Sequence, residues 1–486
     1  MNTVPLSPLL SLAAAGAVAV FSAGAAMIVL YAAAQTHLLW LWLRRPPDDV
    51  ETPTTALPVI TVQLPLYNEA NVARRLLRCI AALDWPRDRL QVQVLDDSDD
   101  ETVGIVADEV ARLRAAGLDI TQVRRCDRSG FKAGALKAAM GAVRGELIAI
   151  FDADFLPRPD FLRRAIALLG PEVGLVQGRW GHLNRRASAF TRTQAFHLDA
   201  HFTLEQHARC AGGLLMGFNG TAGVWRRSCI EAAGGWDTDT LTEDLDLAYR
   251  AQLAGWQLRY ADSLEAPAEL PAEMAAIRAQ QHRWMKGGAQ VARKLLPTLW
   301  RGPLPLRRKL QGTAHLMGSS LFVAVAAICV VNPLLGPLSA AEPRVATALG
   351  VAGLGLTTSG LVLMSAYAVV CTHRRGSAAR GLAAALTGYP LLILFCWGLS
   401  LHNAAAALEG WFGATGEFVR TPKIGEGDSL PARYRLHRRG WLQVAELGMA
   451  GWSAVGAAWA ISAGNAAAAG WLGAQALGFL AVQRPR

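Results

Sequence analysis

Five stretches of this chain carry no Asp, Glu, Lys or Arg: residues 1–43, 310–341, 345–373, 381–408 and 447–483. Each is long enough to cross a bilayer, because a spanning helix needs roughly 20 apolar residues at about 1.5 Å rise each. Between Arg44 and Lys309 charges instead occur as they do in a soluble domain. The overall 52% hydrophobic and 18% charged residues are therefore an average over two regimes. The chain reads as a membrane helix, a globular domain of about 250 residues and a membrane bundle. The first stretch lacks a basic n-region and outruns an h-region, which argues for a retained anchor over a cleaved signal.

The net charge of +10 concentrates beside the apolar stretches, at Arg44, Arg45, Arg301, Arg307, Arg308, Lys309, Arg374, Arg375, Arg435, Arg438 and Arg439. That is a positive-inside distribution, so these flanks and the globular domain are expected on the cytoplasmic side. Anionic headgroups and phosphates suffice as partners for the charge, and nucleic acid is not required. With Arg44 inside, 313–336 and 346–371 form an out-and-back hairpin. The basic residues Arg420 and Lys423 then require 381–408 to lie at the interface or within the bundle rather than cross once. Helices near 444–461 and 466–483, hinged at Gly464 and Asn465, complete five expected crossings. The expected divisions are 1–45 anchor, 46–270 catalytic domain, 271–311 amphipathic interface helices, 312–372 hairpin, 373–440 interface helix and loop, and 441–486 terminal hairpin. The seven cysteines show no C-x-x-C spacing, so neither a disulfide framework nor a zinc site is expected.

In the globular part, the β-branched run 59–64 reads as a strand ended by Pro65, followed by a helix over 71–83. A second strand spans 90–95, helices cover 101–115 and 132–143, and a strand at 147–151 runs into Asp152. Alternating strands and helices predict an α/β fold with a parallel sheet. Ligands of such sheets bind beyond the carboxyl ends of the strands, where Asp96, Asp97, Asp152 and Asp154 fall.

Asp152-Ala-Asp154 suits a hard divalent cation bridging to a diphosphate, although a solvated turn gives the same pattern. Asp96 to Asp100 could be an N-cap cluster, or could offer an aspartate to a base or ribose. Thr242-Glu243-Asp244 reads as a capped helix start, or as the position of a general base. Gln280-x-x-Arg283-Trp284 reads as an interfacial anchor, or as a phosphate grip with a sugar platform. Singly, each plain reading is at least as good as the functional one.

The order of the motifs changes that balance. Pro65-Leu-Tyr-Asn-Glu69, Asp96-Asp97-Ser98, Phe131-Lys-Ala-Gly134, Asp152-Ala-Asp154, Thr242-Glu-Asp244 and Gln280-x-x-Arg-Trp284 follow one another along the chain. This set resembles the D, D, D, Q-x-x-R-W pattern of processive family 2 glycosyltransferases. Val176-Gln-Gly-Arg-Trp180, Leu198-Asp-Ala-His-Phe202 and Gly217-Phe-Asn-Gly-Thr-Ala-Gly-Val-Trp-Arg226 look most like the cellulose synthase-like A, glucomannan mannosyltransferase, group and its bacterial relatives.

The resemblance implies a nucleotide-diphospho-sugar transferase domain, Rossmann-like and of glycosyltransferase A type, inserted between transmembrane helices. It implies Asp96, Asp97, Lys132, Asp152, Gln280 and Arg283 on the donor, and Asp152 and Asp154 on Mg2+ or Mn2+. Asp244, with Glu243 beside it, would be the catalytic base. Trp284, Trp180 and the Phe218-Asn219-Gly220-Thr221 segment would shape the acceptor site. Phe418-Val-Arg-Thr-Pro-Lys423 is similar to the family's gating loop, F-x-V-T-x-K, with Arg420 in place of Val and Pro422 stiffening the turn.

The expected function is inverting, metal-dependent transfer of a hexosyl group from UDP-glucose or GDP-mannose to a growing β-glycan, with export through the membrane domain. The alternatives are a non-processive enzyme making a glycolipid, such as glucosyl-diacylglycerol or a polyprenyl-phosphate sugar, and a non-catalytic membrane receptor or transporter. The last is disfavoured because no carboxylate of the set is missing. The expected setting is a bacterial-type inner membrane with the catalytic domain in the cytoplasm. The expected partners are the nucleotide sugar, a glycan or lipid acceptor and the bilayer, with oligomeric state open.

Overall fold

The computed structural model describes residues 8–45, 57–341, 343–413, 419, 421–423, 425 and 440–484. The charge-free N-terminal stretch forms one long helix, α1 (Pro8–Leu43). The central domain then runs β1 (Ile60–Leu66), α2 (Ala73–Ala81), β2 (Leu90–Asp96), α3 (Thr102–Ala115), β3 (Asp119–Val123), α4 (Phe131–Ala139), β4 (Leu147–Ile150), α5 (Phe161–Ala167) and β5 (Val173–His182). It continues through α6 (Ala189–Ala200), a π-helical turn (His201–Gln206), α7 (His207–Ala211), β6 (Gly223–Arg226), α8 (Arg227–Ala232), α9 (Glu243–Leu253) and β7 (Gln257–Ala268).

The strands form one sheet ordered β3-β2-β1-β4-β6-β5-β7. Both faces are covered, so β4 sends Leu147 and Ala149 into one core and Ile148 and Ile150 into the other. Burial on both sides is why the strand sequences read as near-continuous apolar runs.

The sheet is mixed, not wholly parallel as expected: β6 is antiparallel to both β4 and β5. The chain leaves β5 at the ligand edge, folds α6 and α7, and re-enters at that same edge, so β6 must run backwards. Pro65 does not end β1 either; it pairs in register with Leu95, and the strand continues to Leu66. On its other side β1 pairs with β4 only as far as Gln63, so no ladder partner needs the N–H that proline lacks.

The C-terminal half contains α10 (Met274–Arg301), α11 (Leu306–Leu316), α12 (Leu321–Ala341), α13 (Pro343–Arg375), α14 (Ala378–Gly398), α15 (Ser400–Trp411), α16 (Gly440–Ser462) and α17 (Ala466–Ala481). Among the described residues, five helical stretches are long and apolar enough to cross a membrane: 12–43, 306–341, 345–375, 378–398 and 440–462. α17, expected as a crossing, is a shorter apolar helix of 16 residues.

The charge-free stretch 381–408 is two helices, broken at Leu399. A methyl on Gly381 would strike the backbone of Thr372, one on Gly388 the Phe196 ring, and one on Gly398 the Gly478 carbonyl. α14 therefore touches the last turns of α13 and α17 and lies along α6 of the central domain. Residues 378–398 are also long and apolar enough to cross a membrane, where a position at the interface or within the bundle was expected.

Candidate active site

The sheet's ligand edge opens onto one cleft. The loop after β1 supplies Tyr67 and Glu69, β2 leads to Asp97, β4 to Asp152 and Asp154, and β5 ends with Trp180 and His182. Asn219 and Gly220 precede β6, and Glu243 and Asp244 begin α9. α10 adds Gln280, Arg283 and Trp284, and the late loop adds Thr421 and Lys423.

Three non-glycine residues have positive φ among the described residues: Asn68, Phe131 and Ala222. All three flank this cleft. Such conformations cost about 1–3 kcal/mol each and persist where the surroundings enforce them, typically at functional sites.

Lys132, on the first turn of α4, places Nζ 2.5 Å from Asp152 Oδ1 and 2.9 Å from the Gly220 carbonyl, with Glu243 Oε1 at 3.9 Å. Burial opposes its charge, but the Asp152 and Glu243 carboxylates outweigh that and hold the ammonium above its usual range. Asp154 is buried, and its Oδ2 accepts from Lys423 Nζ at 2.8 Å and the Glu269 N–H at 3.0 Å. Thr421, from the same loop, accepts from Arg283 Nη2 at 3.0 Å.

The expected gating segment is thus seated in the cleft at Thr421 and Lys423; Phe418 and Arg420 lie outside the described residues. The basic residues Arg435, Arg438 and Arg439 lie outside them too.

Asp244 sits at the start of α9, with Oδ1 accepting the Leu245 N–H at 2.8 Å. Burial, reinforced by the adjacent Glu243 charge, raises its pKa to about 7. Glu243 is also raised, by burial. Thr242 occupies the N-cap position but its hydroxyl makes no capping bond; it packs instead on Gly287 of α10. The capping explanation of this motif therefore fails for its threonine. Gly220 has φ +81°, and a Cβ there would come within 2.8 Å of Asp244 Oδ2. Glycine is required here both by conformation and by this close approach.

The indoles of Trp180 and Trp284 line the cleft with ring centroids 6.5 Å apart. Asp97 faces the cleft and is held by Arg125, with Nε donating to Oδ1 at 2.9 Å. Beside it, the Arg128 guanidinium lies 3.2 Å over the Tyr67 ring.

Three expected site residues do not face the cleft. Asp96 is fully buried, accepting from the Ser98 N–H and from Gln122, so it shapes the turn that presents Asp97. Phe218 is in the core against Trp225. Thr221 is buried, and its hydroxyl accepts the Asp152 N–H at 2.9 Å, orienting that carboxylate from behind.

Sequence reasoning missed His182, whose side chain is 2% exposed and lies 3.3 Å from Asp199, along with Tyr67 and Arg128. Tyr67 lay within a recognised motif; nothing in spacing marked the other two.

The site fits a hard divalent cation. Asp152 and Asp154 offer oxygens at the end of β4, Glu69, Glu243 and Asp244 add negative charge, and ammonium groups now neutralise the two aspartates. Lys423 and such an ion would compete for Asp154. A second acidic trio, Asp237, Asp239 and Asp246, is already bridged by Lys294 at 2.7–3.1 Å and reads as an ion-pair cluster.

Residues 58–287 match the family model described as glycosyltransferase like family 2. The chain is 47% identical over 257 residues to glucomannan 4-beta-mannosyltransferase 1 of Oryza sativa subsp. japonica, covering 52% of this chain and 49% of that protein. It is 36% identical over 403 residues to glucomannan 4-beta-mannosyltransferase 2 of Arabidopsis thaliana, covering 79% and 70% respectively. The match to the rice protein spans about half of that relative's length. Among solved structures, mannosyltransferase PcManGT from Pyrobaculum calidifontis, in complex with GDP-Man and Mn2+, superposes with a TM-score of 0.50 at 24% identity. That likeness covers 81% of this chain and all of the other, and it speaks to the fold.

Proposed function

The chain belongs to glycosyltransferase family 2 and is a hexosyltransferase, and from that premise we propose that it transfers a mannosyl group from GDP-mannose, or a glucosyl group from UDP-glucose, to the end of a growing β-glycan. The observation that carries this reading is Asp244. It is a carboxylate with a pKa of about 7, lining the same cleft as Lys132, Asp152, Asp154 and the indoles of Trp180 and Trp284.

In an inverting displacement the acceptor hydroxyl attacks the anomeric carbon from the face opposite the leaving diphosphate. The new glycosidic bond forms as the carbon–oxygen bond to phosphate breaks, and the hydroxyl proton passes to Asp244. A base near neutrality matches that proton transfer, and no protein nucleophile is needed. Lys132 and Arg283 hold positive charge where the leaving diphosphate develops negative charge. Burial depresses the Arg283 pKa, yet the surrounding carboxylates favour its charge, and an arginine stays ionised there. Asp152 and Asp154 would hold Mg2+ or Mn2+, which when bound would further neutralise that charge. Asp97, with Tyr67 and Arg128, would receive the base and ribose, while Trp180 and Trp284 would present ring faces to the acceptor sugar.

The names of the relatives, glucomannan 4-beta-mannosyltransferases, support mannose and a glycan acceptor. The basic flanks support a cytoplasmic catalytic domain in a multi-pass membrane protein. Relatives from plants leave a bacterial inner membrane without support.

The test is to incubate membranes carrying the protein with Mn2+ and radiolabelled GDP-mannose or UDP-glucose, with Asp244→Asn as control. Alcohol-insoluble label that a β-mannanase or β-glucanase digests, absent in the control, supports polymer synthesis. Label in the organic phase would replace that reading with glycolipid synthesis.

A further inference from the structure

Strand β5 ends in the cleft with Trp180 and His182, two residues apart and therefore on one face of the strand. Each carries a polar atom that the transfer chemistry above does not use. The Trp180 indole packs against Phe155, Phe202 and Trp284, but its Nε1–H is buried and meets no acceptor among the described residues. The Nε2 atom of His182 is also buried and lies 3.3 Å from Asp199 Oδ1. The other ring nitrogen, Nδ1, makes no hydrogen bond among the described residues.

Asp199 is what leaves Nδ1 over. It is buried on α6, with Arg185 on its Oδ2 and Arg374, at the end of α13, 3.3 Å from its Oδ1. Burial works against its charge, but the hydrogen bond from His182 and the two guanidiniums outweigh that and hold the carboxyl below its usual range. A carboxylate fixed in this way keeps the imidazole proton on the nitrogen that faces it. In the neutral ring that nitrogen is Nε2, and Nδ1 is then an acceptor. The strand end thus offers one donor and one acceptor. A hydroxyl group both donates and accepts, so a sugar satisfies the two together. A phosphate or carboxylate oxygen only accepts and would leave Nδ1 unpaired.

We propose that His182 is a specificity-determining residue of the transfer, its Nδ1 accepting a hydrogen bond from one hydroxyl of the hexose held beside Trp180. Asp199 acts through it, as a positioning residue. The inference rests on the donor and acceptor given above and adds a residue to their recognition. The hexose is the donor's own or the terminal unit of the acceptor, two sources of the same hydroxyl chemistry.

The test uses the full-length chain in detergent with Mn2+. The donor is whichever of GDP-mannose and UDP-glucose the wild type uses, with β-1,4-mannobiose or cellobiose as the matching acceptor. Donor and acceptor are each supplied as a monodeoxy set, one sugar hydroxyl removed at a time, and kcat/KM is measured for every member. In the wild type, loss of the hydroxyl read by His182 should lower kcat/KM about tenfold, and in His182→Phe that penalty should shrink to about twofold. The set that holds the sensitive analogue names the hexose. His182→Asn keeps an acceptor oxygen on the side chain and should preserve most of the penalty. Asp199→Asn should shrink this penalty and no other, which a mere loosening of α6 would not do. Each penalty is a ratio within one preparation, so it does not depend on how much of a variant is folded, and His182→Leu serves where His182→Phe does not fold. Wild-type transfer with every penalty unchanged in the apolar variant overturns the role of His182 alone. No wild-type transfer from either donor overturns the donor reading and this inference with it.

Discussion

Asp244 is the residue whose environment says most about chemistry. An ordinary aspartate is ionised throughout the neutral range, but burial and Glu243 place this one near 7. A base must be ionised to accept a proton, so transfer should fall as pH drops through about 7 and level off above it. A kcat–pH profile flat from 5.5 to 8 would remove Asp244 from the role. Asp244→Asn should lower kcat by about 10²–10⁴-fold, the usual range for a lost general base, while donor binding persists. Gly220→Ala tests the same carboxylate from the other side. Its methyl would meet Asp244 Oδ2 at 2.8 Å in a backbone region that L-residues adopt at about 1–2 kcal/mol cost. Transfer should be lost with the fold retained, read as kcat against the thermal midpoint in detergent. The cleft-facing residues Asp97, Lys132, Asp152, Asp154, Asp244 and Trp284 were legible in sequence because they recur in a fixed order. Their neighbours were not: a pKa depends on burial, and Thr221 differs from Gly220 only in which way the strand entry turns it.

Elements decide how those residues meet. Lys423 reaches Asp154 from 269 positions away, and Thr421 reaches Arg283 across 138. The loop was recognisable by pattern, but its seating in the cleft depends on packing that no local signal encodes. In Lys423→Met the competing ammonium is gone, so Mn2+ should bind the donor-free enzyme more tightly, by about tenfold or 1.4 kcal/mol. Mn2+ titration followed by electron paramagnetic resonance measures this, and weaker binding would mean that Lys423 does not contest the ion.

α10 is fixed in turn by Arg278, which makes two 2.7 Å bonds to the fully buried Glu446 of α16. Removing one partner of such a pair strands a buried charge at a cost of about 3–5 kcal/mol. Glu446→Ala should therefore lower the thermal midpoint sharply, and Arg278→Met with Glu446→Leu should recover much of the loss. The strands and helices of the first half were readable from periodicity. The reversal of β6 was not, because strand direction follows from where the chain re-enters the sheet.

At the scale of the whole molecule, the cleft belongs to neither half alone. The sheet's strand ends supply Asp97 and Asp152, α9 supplies Asp244, α10 supplies Arg283 and Trp284, and the loop before α16 supplies Thr421 and Lys423. Cores cross the same boundary: Leu38 and Trp42 of α1 pack with Leu204 and Val370, and Tyr249 of α9 packs with Leu295 and Leu316. The division into a membrane part and a globular part, evident from charge alone, is therefore true of composition and untrue of the active site. A fragment of residues 57–272 retains Tyr67, Arg128, Asp97 and Trp180 but loses Arg283, Trp284 and the loop. Where it stays soluble, it should bind GDP in calorimetry yet release no mannose to any acceptor. Adding residues 273–486 on a separate chain in the same membrane should restore transfer only if α10 docks against Thr242 through Gly287, where a methyl would come within 2.5 Å of the threonine side chain. Gly287→Val in the second chain should block that rescue. Transfer by the 57–272 fragment alone would show instead that the sheet edge is catalytically sufficient, and the membrane helices would then be left with the acceptor chain alone.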